Sequence, residues 1–189
     1  MLWRYPLDTS RPLPAVWLIS DARNDAVLER AIARMPRGGG FIYRHYHLPA
    51  DERRARFTAL ARLARARGLC VVWAGSMVQA RRMGADGAYG DSRRTASGGR
   101  GLRLVTVHSL REMARARRAD ALLLSPVFAT RSHAGAAGLG PLRFRLMARH
   151  AGAPVIALGG MGKAQARRLG WPRWAAIDGL STAQNPEDS

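Results

Sequence analysis

Residues Ala121–Lys163 read ALLLSPVFATRSHAGAAGLGPLRFRLMARHAGAPVIALGGMGK. Two apolar runs in this stretch, Ala121–Leu124 and Pro154–Leu158, each stop abruptly at small or hydroxylated residues. A charged, amphipathic segment over Pro141–Ala151 separates them. Short apolar runs bounded by turn signals and divided by a helical pattern are what buried parallel strands look like. The first run opens into Ser125-Pro126-Val127-Phe128-Ala129-Thr130-Arg131-Ser132-His133, the second into Gly159-Gly160-Met161-Gly162. Functional groups gathered just past the carboxyl ends of such strands point to an α/β barrel or open sheet with its site on that face.

Outward from this stretch the same alternation continues. Strands are predicted at Ala15–Ser20, Phe41–Arg44, Leu69–Trp73, Asp86–Tyr89 and Leu102–Thr106 before it, and at Trp174–Ile177 after it. Helices are predicted at Asn24–Met35 with Asp21 or Asn24 as cap, from Pro49 to Arg67 with Phe57, Leu60 and Leu63 on one face, and at Met77–Met83. Ser109 caps a further helix to Arg118, and Glu112 three residues on completes a capping-box pattern. Lys163–Leu169 is the last predicted helix, and Gly90–Gly101 reads as a mobile, glycine-rich loop. Eight strands alternating with helices is the count of a (β/α)8 barrel. Such barrels usually run to about 250 residues. At 189 residues the reading is a compact α/β (β/α)8 TIM barrel, a single domain over 1–189 with a reduced last helix, because Ser181–Ser189 is too short and polar to close it.

Bulk properties narrow the function. The chain is 47% hydrophobic, enough for a packed core. No apolar run approaches the roughly 18 residues that span a bilayer, and MLWRYPLDTSRPLP lacks the apolar stretch and cleavage site of a signal peptide. The cytoplasm is therefore the expected compartment, with no membrane partner. Cys70 is the only cysteine, which excludes an intramolecular disulfide and a multi-cysteine metal site. The net charge of +18 invites a nucleic-acid reading, but its distribution argues against one. All basic residues except Lys163 are arginines, spread along nearly every predicted helix. Helices around a sheet need a polar outer face, and arginine fills it with good helix propensity. No patch interleaves aromatics with basic groups as single-strand binders do.

Gly159-Gly160-Met161-Gly162 follows a buried strand and precedes a helix, so backbone amides there have room to approach an anion. In barrels a phosphate site is often built from the loops after the seventh and eighth strands, here Gly159–Gly162 and Asp178-Gly179-Leu180-Ser181. Small phosphate-bearing molecules are the expected partners. Tyr43, Tyr46 and Trp73 end the second and third strands and are placed to rim such a pocket and stack on an aromatic ring. His45 and His47 flank Tyr46, but a metal chelate there would need a third ligand that the sequence does not offer.

Five segments resemble the thiamine phosphate synthase family, which includes thiazole tautomerase relatives. They are Phe41-Ile42-Tyr43-Arg44, Gly84-Ala85-Asp86-Gly87, Thr106-Val107-His108-Ser109-Leu110-Arg111-Glu112, Ser125–Thr130 and Pro154–Met161, in that order over nearly the whole chain. The resemblance implies a barrel and a transfer reaction joining a pyrimidine methyl pyrophosphate to a thiazole phosphate, with magnesium assisting the departure of pyrophosphate. Arg44 matches the family's arginine after the second strand, and a guanidinium can hold two phosphate oxygens at once. Thr106 stands where the family has a serine. Thr130 and Ser132 match its hydroxylated loop, with Arg131 between them. Gly159 and Gly160 match its thiazole-phosphate turn, with Ser181 in the loop after the eighth strand.

The chain also departs from the family pattern. Tyr46 replaces a lysine two residues after Arg44, and Ala74-Gly75 replaces an Asn-Asp pair whose aspartate is a magnesium ligand. Asp91 is the nearest equivalent of the second metal-binding aspartate, and His133 replaces the lysine ending the hydroxylated loop. Arg131, Arg93 and Arg94 are candidates to supply the missing charge. The tautomerase branch needs an acid/base histidine where this chain has Pro126, leaving His108 and His133 as substitutes. Three functions stay open: synthase-like transfer with Arg44, Thr106 and His133 as catalytic groups, phosphate binding without transfer, and tautomerase-like isomerisation.

Overall fold

The computed structural model describes residues 12–95, 99–130 and 138–180. Eight parallel strands close into a barrel in sequence order: β1 (Val16–Ile19), β2 (Gly40–Tyr43), β3 (Cys70–Ala74), β4 (Gly87–Gly90), β5 (Leu102–Val107), β6 (Ala121–Leu124), β7 (Val155–Ala157) and β8 (Trp174–Ala176). Closure comes from β8 pairing with β1 through Trp174 and Val16. The (β/α)8 fold expected from the sequence is the fold observed. Between the strands run α1 (Leu28–Arg34), α2 (Ala50–Ala66), α3 (Met77–Arg82), α4 (Ser92–Thr95), α5 (Leu110–Arg115), α6 (Gly140–Ala148) and α7 (Lys163–Leu169). The tail at Ser181–Ser189, where a reduced last helix was expected, lies outside the described residues. No helix of the described residues is long and apolar enough to cross a membrane.

Side chains alternate across each strand, and this parity sorts the core into two shells. Trp17, Ile19, Ile42, Val72, Ala74, Tyr89, Leu104, Leu123, Ile156 and Ala175 fill the barrel interior. Their neighbours Leu18, Phe41, Tyr43, Val71 and Trp73 face outward against α1 and α2, while Val105, Leu122, Leu124, Val155 and Trp174 form the opposite outer cluster with Phe144 of α6. Trp17 crosses the barrel floor, and Gly40 permits it: a Cβ there would fall inside the indole ring. Trp17 Nε1 donates to Pro14 O at 2.9 Å.

Local chemistry sets the helix ends. Asp21 caps a 3₁₀ helix at Ala22–Val27, where one longer helix from Asn24 was expected. Asn24 explains the difference. It is buried and reaches back to the Asp21 amide and across to the carbonyls of Ile19 and Ile177, holding this turn over the ends of β1 and β8. Ser76 and Gln79 form a reciprocal capping box on α3. At Ser109 only half of the expected box forms. Ser109 accepts the Glu112 amide, but the Glu112 carboxylate accepts the His108 amide instead. On α2 the buried face is Phe57, Leu60, Ala61 and Ala64. Leu63 is left exposed because it lies about a third of a turn off that stripe. Gly90–Gly101 is not wholly irregular, since α4 forms in it after Asp91 accepts the amides of Arg93 and Arg94.

Candidate active site

A cavity of about 320 Å³ opens at the carboxyl ends of the strands. Most strands deliver inward-facing residues to it by parity. Past Ile42 comes Arg44, past Leu104 comes Thr106, and Tyr89 follows the glycine that leaves room at the base of β4. Arg44, Thr106, Thr130, Gly159, Gly160 and Asp91, all expected at one site, line this one cavity. Arg131, Ser132, His133 and Ser181 lie outside the described residues.

Tyr43 requires a correction. It has the parity of Phe41, not of Ile42, and is fully buried on the outer side of β2. Its ring stacks on His45 and packs against Phe57 and Trp73, and its hydroxyl donates to Arg53 O at 2.9 Å. Burial drives its phenol well above the ordinary value. It packs the wall behind the cavity rather than reaching a ligand. Trp73 shares that place, and of the three aromatics expected at the rim only Tyr46 lines the cavity.

Charge at the mouth is organised by Asp21. Its carboxylate meets Arg23 Nε at 3.0 Å and Arg44 Nη2 at 3.8 Å, while Arg23 Nη1 reaches Asp178 Oδ2 at 3.4 Å across the β8 loop. Burial pulls the Asp21 carboxyl up. The hydrogen bonds and charge of Arg23, with the charge of Arg44, outweigh it and hold the group below the usual carboxylate value. Arg44 keeps its buried Nε without a hydrogen-bond partner among the described residues. An unpaired buried donor is costly, and Arg44 is a cavity-lining cation with donor capacity its protein partners leave unused.

Behind Arg44 runs a buried chain. Ser20 Oγ accepts the Arg44 amide at 2.8 Å and lies 2.8 Å from His45 Nδ1. His45 Nε2 stands 2.9 Å from Asp25 Oδ1, at ion-pair distance but short of the alignment of a good hydrogen bond. The order of Ser, His and Asp is that of a hydrolase triad, yet Ser20 is sealed from solvent and its oxygen is already an amide acceptor. It is no nucleophile. His45 is likewise not half of a chelate with His47, although the two rings lie 5.0 Å apart.

The β6, β7 and β8 loops form the other wall. Val127 and Phe128 amides bond the carbonyls of Leu158 and Gly159, zipping the first two loops together, and Gly162 bridges to Gly179 in the third. Gly159 and Gly160 adopt left-handed backbones, with φ of 94° and 60°. A Cβ on Gly159 would fall 2.6 Å from Pro126 Cα, and one on Gly160 would overlap Ala129 O. The glycines are therefore needed for loop packing as well as for any approach to an anion. His108 is the cavity's imidazole among the described residues, its Nδ1 tied to Ser125 by contacts of 2.9 Å to O and 3.2 Å to Oγ. Pro126 also lines the cavity and has no proton to transfer.

The family model described as thiamine monophosphate synthase matches residues 16–171, the whole alternation from β1 to the end of α7. The chain belongs to the thiamine monophosphate synthase family. Solved structures share its architecture, among them two described as thiamine phosphate pyrophosphorylases. Thiamine phosphate pyrophosphorylase from Pyrococcus furiosus is 23% identical with a TM-score of 0.73, over 89% of this chain and 88% of that one. The corresponding protein from Bacteroides thetaiotaomicron is 13% identical with a TM-score of 0.58, over 92% and 88%. A citrate synthase, SbnG, superimposes as well as the second of these, with 9% identity and a TM-score of 0.59 over 87% and 86%. Likeness at this level shows the fold alone. No curated protein sequence matches the chain.

Within this thiamine monophosphate synthase family member, the donors do not fit the magnesium site that the resemblance implies. Ala74 and Gly75 bring no side-chain oxygen, and the Ala74 carbonyl accepts Arg53 Nη2 at 2.6 Å. Asp91 Oδ1 accepts two backbone amides at 2.9 Å each, and Oδ2 lies 3.4 Å from Arg94 Nε. Among the described residues no three His, Cys, Asp or Glu side chains gather as a metal shell. Of the two carboxylates that would hold a cation, one is absent and the other, Asp91, is paired with Arg94.

Sequence reasoning missed Arg23 and Tyr89 as cavity residues, and placed Asp178 there only as part of the loop after the eighth strand. Strand parity would have found Tyr89, two residues beyond Gly87. Arg23 and Asp178 reach the mouth through the turn that Asn24 fixes, a contact spanning the chain that no local pattern signals.

Proposed function

We propose that the chain is a synthase-like transferase that joins a pyrimidine methyl pyrophosphate to a thiazole phosphate. The observation that carries this reading is that Arg44, whose buried Nε lacks a hydrogen-bond partner among the described residues, lines a cavity together with Arg23 and Arg94. In the reaction the thiazole ring nitrogen forms a bond to the pyrimidine methylene carbon. The carbon–oxygen bond to pyrophosphate breaks, and its electron pair leaves on the pyrophosphate. Negative charge grows on the leaving oxygens in the transition state, and fixed cations there lower the barrier. Arg44 and Arg94 are the groups suited to that work. Thr130 and the Gly159–Gly160 turn on the opposite wall suit the thiazole phosphate, with Arg131, Ser132 and Ser181 assigned alongside them from sequence position. Thr106 offers its hydroxyl between the two walls, and His133 remains assigned as a catalytic group by its place in the loop after β6.

A second reading, binding of a thiazole-type phosphate without transfer, is favoured by one observation: the sole carboxylate left at the expected metal position is already engaged by two amides and Arg94. One experiment separates the two. The purified protein is incubated with both synthase substrates, with magnesium or with chelator, and products are followed by mass spectrometry. Transfer yields thiamine phosphate and pyrophosphate in equal amounts. Saturable binding of the thiazole phosphate with no product would replace the transferase reading by the binding one.

A further inference from the structure

We propose that His45 is a positioning residue for Arg44, acting through Ser20 and anchored by Asp25; the proposal rests on the reading of Arg44 as the anion-binding group. The donors and acceptors along the chain admit one consistent assignment for a neutral ring. The Arg44 amide can only donate, so Ser20 Oγ accepts it, at 2.8 Å. The Asp25 carboxylate can only accept, so the His45 proton sits on Nε2, 2.9 Å away. Nδ1 is then an acceptor, and the Ser20 hydroxyl donates to it at 2.8 Å. Each group from the Arg44 amide to His45 Nδ1 has a defined role, the hydroxyl rotor has one orientation, and Nε2 faces Asp25 at ion-pair distance without hydrogen-bond alignment.

Packing fixes the same atoms. His45 is 1% exposed and Ser20 fully buried. The imidazole stacks on Tyr43 with centroids 4.7 Å apart and planes within 8°. Asp25 is held in turn by Arg56, whose Nε donates to Oδ1 at 2.8 Å and whose other nitrogens reach Asp25 O and Glu29. A path of short contacts thus runs from helix α2, through the turn after β1, to the backbone of the residue whose guanidinium borders the cavity. Arg44 is the first residue past β2, where no ladder bond pins it, and the Ser20 oxygen supplies the missing acceptor. Small displacements of a charged group at a reacting centre are expensive, so a fixed backbone here has a functional consequence beyond stability.

The test is a double-mutant cycle read by calorimetric titration of the folded protein with inorganic pyrophosphate. His45→Phe keeps ring volume and stacking but removes both polar contacts. It should weaken pyrophosphate binding at least ~5-fold, and the effect should disappear in the Arg44→Ala background, because coupled residues are non-additive. His45→Asn, which can still present an acceptor to Ser20, should recover most of the affinity. Should His45→Phe not fold, Ser20→Ala serves in the same cycle with the same expectation. A loss that persists unchanged when Arg44 is alanine, or no loss in either variant, would overturn the positioning role. Unchanged binding in Arg44→Ala alone would instead overturn the reading of Arg44 on which the proposal rests.

Discussion

Arg53 donates from α2 to the carbonyl oxygen of Ala74 at 2.6 Å, with its guanidinium carbon 4.0 Å from the centroid of the Trp73 ring. The same nitrogen reaches Arg44 O at 3.1 Å. One side chain therefore ties together the ends of β2 and β3, where the family pattern has an Asn-Asp pair, and it does so with aromatic faces rather than a carboxylate around it. Replacing Arg53 by methionine keeps much of the apolar stem but loses the charge-assisted bonds and the cation–π contacts. The expected loss is about 2 kcal/mol, read from urea unfolding midpoints. A loss below about 0.5 kcal/mol, the range of ordinary surface changes, would mean that the guanidinium is incidental to the mouth.

The glycine turn after β7 serves packing before it serves any ligand. Gly160→Ala forces a side chain into a left-handed backbone and against Ala129 O. It should destabilise the fold by about 2 kcal/mol or more, visible as a lower melting temperature without any ligand present. A variant that melts like the parent and only binds anions less well would assign the turn to binding alone.

Acid sensitivity should come in two stages. Burial lowers the His45 pKa by more than Asp25 raises it, with His47 and Arg56 also opposing the charged ring. The unfolded chain therefore binds a proton that the folded one refuses. This contribution is complete above the ordinary histidine value of about 6.5 and is lost as pH falls through it toward the folded value. The Asp25 carboxyl is pulled up by burial, but its bonds to Arg56 and His45 leave it net lowered. Its contribution holds above the ordinary carboxylate range and fades as pH drops toward the lowered value. Melting temperature measured against pH should show both stages in the parent, and only the lower one in His45→Phe. An upper stage unchanged in that variant would assign it to another group.

Much of the fold was legible because periodicity is local. Ala121–Leu124 and Lys163–Leu169 match the observed elements residue for residue, and each strand end fell within one or two residues of its predicted place. The family followed from five short segments. What local pattern could not show is parity at the strand ends. Tyr43 and Arg44 are adjacent and both suited to a ligand, yet the pleat sends one to α2 and the other to the cavity. Nor could it show contacts set by closure of the barrel. Arg23 meets Asp178 only because β1 pairs with β8, and His45 meets Ser20 only because β1 pairs with β2.

Metal binding by the free protein should be weak. With Ala74 and Gly75 lacking donors and Asp91 occupied, titration of the substrate-free protein with magnesium should give no saturable heat, and dialysis against chelator should leave the melting temperature unchanged. A saturable submillimolar magnesium site would show that the carboxylates at the mouth rearrange to hold a cation.

The most direct test of the transferase account is the rate of pyrophosphate release from the two synthase substrates, compared between the parent and Arg44→Ala. Arg44 is assigned to charge that grows as the leaving group departs, so its removal should cut turnover by about 100-fold or more, with the fold intact by circular dichroism. Equal turnover in the two proteins would contradict the account.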